Sequence, residues 1–99
     1  MYLYIYISRM SREIKIVCYN YFTLNNQIKN RNLFDIINNI KQKHQNIKFQ
    51  LNDSNNLIIT YSFYIFTDFQ PKIVENALNE VAEVLSKEYM KFVELNFPA

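Results

Sequence analysis

A single histidine, His44, and a single cysteine, Cys18, are the residues of this 99-residue sequence best suited to acid–base or nucleophilic work. His44 stands four residues after Ile40, at the end of an apolar stripe with helical spacing. It therefore reads as a partly buried helix-end histidine. No serine, cysteine or acid bears a sequence relation to it that implies a triad. Cys18 shares a strand face with Ile14 and Ile16 and reads as a small core residue rather than a nucleophile. Lone residues of each kind leave no intrachain disulfide and no four-ligand zinc site. Glu75, Glu80, Glu83 and Glu88 spread around the polar side of a helix without a histidine among them, which is the pattern of a solvated face. The sequence contains no glycine. That excludes the P-loop and the dinucleotide fingerprint, both of which need it. No catalytic residue, metal or cofactor is assigned, and the expectation is a protein that is not an enzyme.

The feature that points to a function is tyrosine. From Tyr2 to Ile7 the sequence alternates strictly, with Tyr2, Tyr4 and Tyr6 on one face and Leu3, Ile5 and Ile7 on the other. Alternation resumes after SRMSR, with Ile14, Ile16 and Cys18 facing one way and Lys15, Val17, Tyr19 and Tyr21 the other. Leu3, Ile5, Ile7, Ile14 and Ile16 are expected in the core under the helices, so that Tyr2, Tyr4, Tyr6, Tyr19, Tyr21 and Tyr64 face away with Val17, Ile58 and Phe66. A large aromatic presents roughly 150–250 Å². Several adjacent rings thus exceed the ~300–600 Å² patch usual on a monomer. These six tyrosines are the candidate partner-binding residues, and the expected partner is a protein, a second copy of the chain or a foreign one.

The elements that must position them follow from periodicity. Period-two alternation with β-branched and aromatic residues predicts a hairpin of strands over 2–8 and 13–23. Asn25 to Asn32 is a polar connection. Leu33, Ile36, Ile37, Ile40 and His44 then follow i, i+3, i+4, i+7 spacing and predict a helix. Asn30 or Asn32 is its expected cap, and Asn46 its expected exit in place of glycine. Ile47, Phe49 and Leu51 predict a third strand, Asp53 to Asn56 a turn, and Leu57 to Phe66 a fourth strand. Pro71 suits the first position of a last helix. Its stripe is Val74, Ala77, Leu78, Val81, Leu85, Tyr89 and Phe92, and it should end before Pro98. The order ββαββα predicts a single α+β domain over 1–99, one antiparallel sheet with two helices on one face. Without glycine, turns that need positive φ fall to Asn or Asp.

Charge argues for the same class. The net charge is +2. Residues 1–69 hold eight Lys/Arg against four Asp/Glu, and residues 70–99 hold three against five. That asymmetry suits docking of the last helix on its own domain. A small nucleic-acid-binding domain using the aromatic sheet face is the alternative. It lacks a basic cluster and the K/R-G-F/Y motif of RNA-binding sheets. The opening MYLYIYIS has no basic leader region or A-x-A-like cleavage site, and no apolar run reaches a membrane-spanning length. A cytoplasmic location with no membrane partner is expected.

From LFDIINNIKQKHQNIKFQ through LNDSNNLIITYSFYIFTDFQ to the helix ending near Tyr89 and Phe92, the sequence resembles the YbjN family. That family comprises bacterial sensory transduction regulators with a type III secretion chaperone-like fold. The resemblance is carried by Asn38 and Asn39 near a helix end, Phe49 in the next strand, the Asp53–Asn56 turn and the long closing helix. It implies a non-enzymatic, often dimeric module, chaperone-like or regulatory, that binds a partner protein through a sheet or helix surface.

Overall fold

A computed structural model describes residues 2–25 and 30–96. The chain runs β1 (Tyr2–Ser8), β2 (Glu13–Thr23), α1 (Asn30–Lys43), β3 (Ile47–Leu51), β4 (Asn56–Tyr64) and α2 (Pro71–Asn96). The strands form one antiparallel sheet in the order β1-β2-β4-β3. Both helices pack on one face of it, so this is an α+β fold with the expected element order. Pro71 opens α2 as expected, where its missing N–H costs nothing. The fourth strand stops at Tyr64, two residues earlier than alternation suggests, although the Ile65 amide still donates to the Arg12 carbonyl at 2.9 Å.

The turns show what a chain without glycine does. Asn52 closes the β3–β4 turn: its Oδ1 accepts the amides of Ser54 and Asn56, each at 3.0 Å. Among the described residues positive φ occurs at Arg12 (57°), Asn20 (53°) and Asn55 (59°). Two of the three are asparagine, the residue type that tolerates that region best after glycine. Arg12 is held there by tertiary contacts, its guanidinium donating to the Thr67 carbonyl at 2.6 Å. Asn46 is not among the positive-φ residues, so α1 ends without a left-handed exit there. Asn32 lies inside the first turn of α1 and is not its cap. The Asn30 side chain, Asn26–Lys29 in the connection, and Pro98 lie outside the described residues.

Asn20 sits in an irregularity that redirects β2. Cys18 pairs with Ile59 and Phe22 with Leu57, so three residues of β2 stand opposite the single Ile58. This bulge breaks the alternation between Cys18 and Phe22. Tyr21, expected on the outer face, is only 4% exposed and belongs to the core. Its hydroxyl donates to the Leu85 carbonyl of α2 at 2.7 Å. Its ring meets Tyr89 and Phe92 edge-on, with centroids 5.7 and 5.8 Å away. Phe22 packs beside it on the same two rings.

The core is built from Ile16, Cys18, Tyr21 and Phe22 of β2, Ile47 of β3, Leu57, Ile59 and Tyr61 of β4, and the inner stripes of both helices. On α2 that stripe is Ala77, Val81, Val84, Leu85 and Phe92, with Glu88 among them. Glu88 thus leaves the solvated face expected of it, being 7% exposed at the seam between the helices. Lys91 stands 2.7 Å from its Oε2 and Lys43 of α1 stands 3.9 Å from its Oε1. The Lys91 contact is an ion pair without the angle of a directed hydrogen bond. The other three glutamates are exposed: Glu75 pairs with Lys72, Glu83 with Lys87, and Glu80 accepts the Tyr61 hydroxyl at 2.7 Å.

These contacts set a pH response. Burial pushes the Tyr21 phenol well above its ordinary value, and burial followed by the Glu80 hydrogen bond raises that of Tyr61. The close contact with the Glu88 carboxylate raises the Lys91 ammonium. Each folded-state value is raised, so the unfolded chain loses these protons first as pH climbs. Stability is therefore complete below the unfolded values, near 10 for the phenols, and falls above them. Urea melts between pH 7 and 11 should show constant stability and then a decline. Tyr21→Phe should cost about 1 kcal/mol at neutral pH and make the alkaline decline shallower; an unchanged decline would remove Tyr21 from its cause.

Candidate functional site

β1 is an edge strand, and both of its faces are open. It pairs with β2 without interruption from Tyr2↔Tyr19 to Ser8↔Glu13. The core beneath the helices draws on β2, β3 and β4 and takes nothing from β1. Tyr2, Tyr4 and Tyr6 are each about half exposed on the side away from the helices. Leu3, Ile5 and Ile7 are 44%, 42% and 56% exposed on the helix side. The expectation that these aliphatics lie in the intramolecular core is therefore corrected. Ile14 and Ile16 of β2 are buried as expected, but the helix layer stops short of β1.

On the open face the tyrosines form a ladder of touching rings. Tyr2 meets Tyr4 at a centroid distance of 5.7 Å and Tyr4 meets Tyr6 at 6.3 Å. Tyr19 of β2 joins both Tyr2, at 5.8 Å, and Tyr4, at 5.5 Å. Such offset and edge-on pairs stabilise one another beyond simple burial. At the rim Tyr6 and Tyr19 share a hydroxyl contact at 3.2 Å, and Asn20 Nδ2 donates to the Tyr2 hydroxyl at 3.3 Å. The Tyr19 hydrogen bond holds the Tyr6 phenol above its ordinary value. Val17, between Tyr4 and Thr60 in the register, is buried beneath this layer.

Of the six candidate tyrosines, Tyr2, Tyr4, Tyr6 and Tyr19 are brought together. Tyr64 shares their face and is exposed, but it stands opposite Glu13, one row beyond Tyr6 and Lys15. Tyr21 is removed from the set, because the bulge turns it inward. Lys15 and Glu13 form an ion pair at 3.6 Å beside the ladder. A depression of about 480 Å³ runs there, bounded by Tyr6, Lys15, Val17, Tyr19 and Thr60. A second, of about 570 Å³, lies at the foot of β1 among Ile7, Arg12, Ile14, Ile65 and Phe69. Leu3, Ile5, Ile7 and Phe69 are the surface residues that sequence reasoning missed. Their signal was available: a strand apolar on both faces needs cover on both sides.

Chemically this surface can stack rings, bury aliphatic area and offer a free strand edge. Cys18 is fully buried and burial raises its thiol pKa, which makes it a poor nucleophile. His44 lies just past α1, half-buried, with its amide bonded to the Ile40 carbonyl. Among the described residues no three His, Cys, Asp or Glu side chains converge as a metal site would require, and no helix is long and apolar enough to cross a membrane. Compared with known proteins, the chain matches no family model, no curated protein and no solved structure.

The placement of β1 separates two isoleucines that alternation puts on one face, Ile5 exposed and Ile16 in the core. Ile5→Ser should cost about 1 kcal/mol or less, the range of strand propensity at an open site. Ile16→Ser, in the core, should cost roughly 3–5 kcal/mol through lost packing and a buried hydroxyl. Thermal melts of both variants decide this; a severely destabilised Ile5→Ser would mean that β1 is covered from within.

Proposed function

We propose that the chain is a non-enzymatic protein-interaction module, chaperone-like or regulatory, that engages protein partners through β1 and the sheet face beside it. The observation that carries this reading is the exposure of six consecutive large residues, Tyr2 to Ile7, on both faces of one strand. Uncovered apolar surface of this kind marks a site of association. Exposed aromatics packed on a rigid sheet are the residues from which interface hot spots are made. A cytoplasmic location and kinship with the YbjN regulators belong to the same reading. The ββαββα order is compatible with the resemblance and does not depend on it.

A second reading, a small nucleic-acid-binding domain, has the stacked tyrosines in its favour. Against it, the described part of that face offers Lys15, already paired with Glu13, and Lys48 as its cations. Counterion release from so few charges leaves little salt-sensitive affinity.

Exchanging both Tyr4 and Tyr19 for Ser tests the first reading. The variant should keep its fold, because neither ring fills the core. Its association, read by sedimentation of the purified chain and by capture of partners from lysate, should weaken by a few kcal/mol. Undiminished association in both assays by a folded variant would contradict the reading. Single-stranded oligonucleotide binding that falls steeply with salt, with a slope of three or more phosphate contacts, would favour the second.

A further inference from the structure

We infer that the free edge of β1 pairs with β1 of a second copy, antiparallel, about a two-fold axis through Ile5, making one continuous eight-stranded sheet. This deepens the interaction reading and rests on it. The first ground is the contrast between the two sheet edges. The β3 edge is guarded in the usual way: it has five residues and carries Lys48 on a polar, exposed position. The β1 edge has seven residues, no charge, no proline and an unbroken register with β2. An edge left straight, long and apolar is a template for another strand.

The second ground is self-complementarity. Two adjacent antiparallel strands related by a two-fold must have the axis normal to the sheet, so both copies keep the same face up. A residue on the axis meets itself, and every direct pair then sums to an even number. In β1 the even positions are Tyr2, Tyr4, Tyr6 and Ser8 and the odd ones Leu3, Ile5 and Ile7. Ring therefore meets ring and aliphatic meets aliphatic in every symmetric register. With the axis at Ile5 all seven residues are paired: Tyr4 with Tyr6 of the second copy, Leu3 with its Ile7, and Tyr2 with its Ser8. The tyrosine ladders of the two copies become continuous across the seam. Leu3, Ile5 and Ile7 of both gather into one strip on the helix side.

Charge selects the antiparallel arrangement. Arg9 and Arg12 follow β1 at one end only, in the turn to β2. Antiparallel pairing sends these cations to opposite ends of the seam, whereas parallel pairing would set like charges together. An isologous contact of this kind also closes after two copies and does not propagate into a fibre.

Single cysteines placed in turn at residues 2 to 8, in a Cys18→Ala background, locate the axis. Directly opposed Cα atoms are about 4.5–5.5 Å apart in an antiparallel pair, which a disulfide can bridge. Each step away from the axis adds about 7 Å between equivalent residues. Under mild oxidation Ile5→Cys should form a covalent dimer, and Tyr2→Cys and Ser8→Cys should link at least tenfold less. Mixing Leu3→Cys with Ile7→Cys should give the mixed disulfide in preference to either self-linked product. Linkage that peaks at Tyr2 or Ser8, or is even along the strand, would overturn the seam. A chain that sediments as a monomer at micromolar concentration and above would overturn self-pairing altogether. The Tyr4→Ser/Tyr19→Ser assay with captured partners would still decide the broader reading in that case.

Discussion

The clasp between Tyr21 and Phe22 of β2 and Leu85, Tyr89 and Phe92 of α2 determines where the helix layer lies. It exists because the bulge after Cys18 turns Tyr21 inward, next to Phe22. Two large aromatics then project from the second strand toward α2, and the Tyr21 hydroxyl fixes them by bonding the Leu85 carbonyl. Burying rings of this size contributes roughly 1.5–3 kcal/mol each. A helix anchored so firmly over β2 is not free to shift toward the edge. The bulge itself depends on Asn20 accepting a left-handed backbone in a chain that has no glycine to put there.

The state of β1 follows. With α2 held by β2, and α1 seated on α2 and β3, the two helices finish the core over three strands. The Glu88 ion cluster locks that arrangement by joining the end of α1, through Lys43, to α2. Only the carboxylate is buried and both lysines reach solvent, so the pairs orient the helix ends and add little stability of their own. Among the described residues β1 is held chiefly by β2, through its ladder and the Tyr19 contacts, with half-exposed aliphatics on one side and a layer of tyrosines on the other. Sheet pairing, ring stacking and an open edge meet in one short segment.

Much of this was legible in the sequence. Strict alternation placed β1, and i, i+3, i+4 spacing placed both helices, because these periods are imposed by backbone geometry. The tyrosine cluster was legible for the same reason, through Tyr2, Tyr4, Tyr6 and Tyr19. Parity failed at Tyr21, where a bulge of two extra residues turns one ring inward before the alternation resumes at Phe22, and leaves no mark but an asparagine. It failed again for Glu88: on the helix the residue falls on the buried stripe, but its usual preference for water argued otherwise. The largest miss, the openness of Leu3, Ile5 and Ile7, is not a local property. Alternation says which residues share a face; it does not say how far a helix layer extends across that face. That extent is set by contacts between Tyr21 and residues more than sixty positions away.

The central claim is that β1 lies at a bare edge, paired on one side only within the chain and completed from outside. Site-resolved amide hydrogen exchange at two protein concentrations measures this directly. In dilute solution the β1 amides directed at β2 should be protected and the alternate ones, directed outward, should exchange freely. At high concentration the outward set should gain protection while the β2–β4 amides stay unchanged. Outward β1 amides already protected in dilute monomer, or freely exchanging at every concentration and in partner-bound samples, would contradict the account.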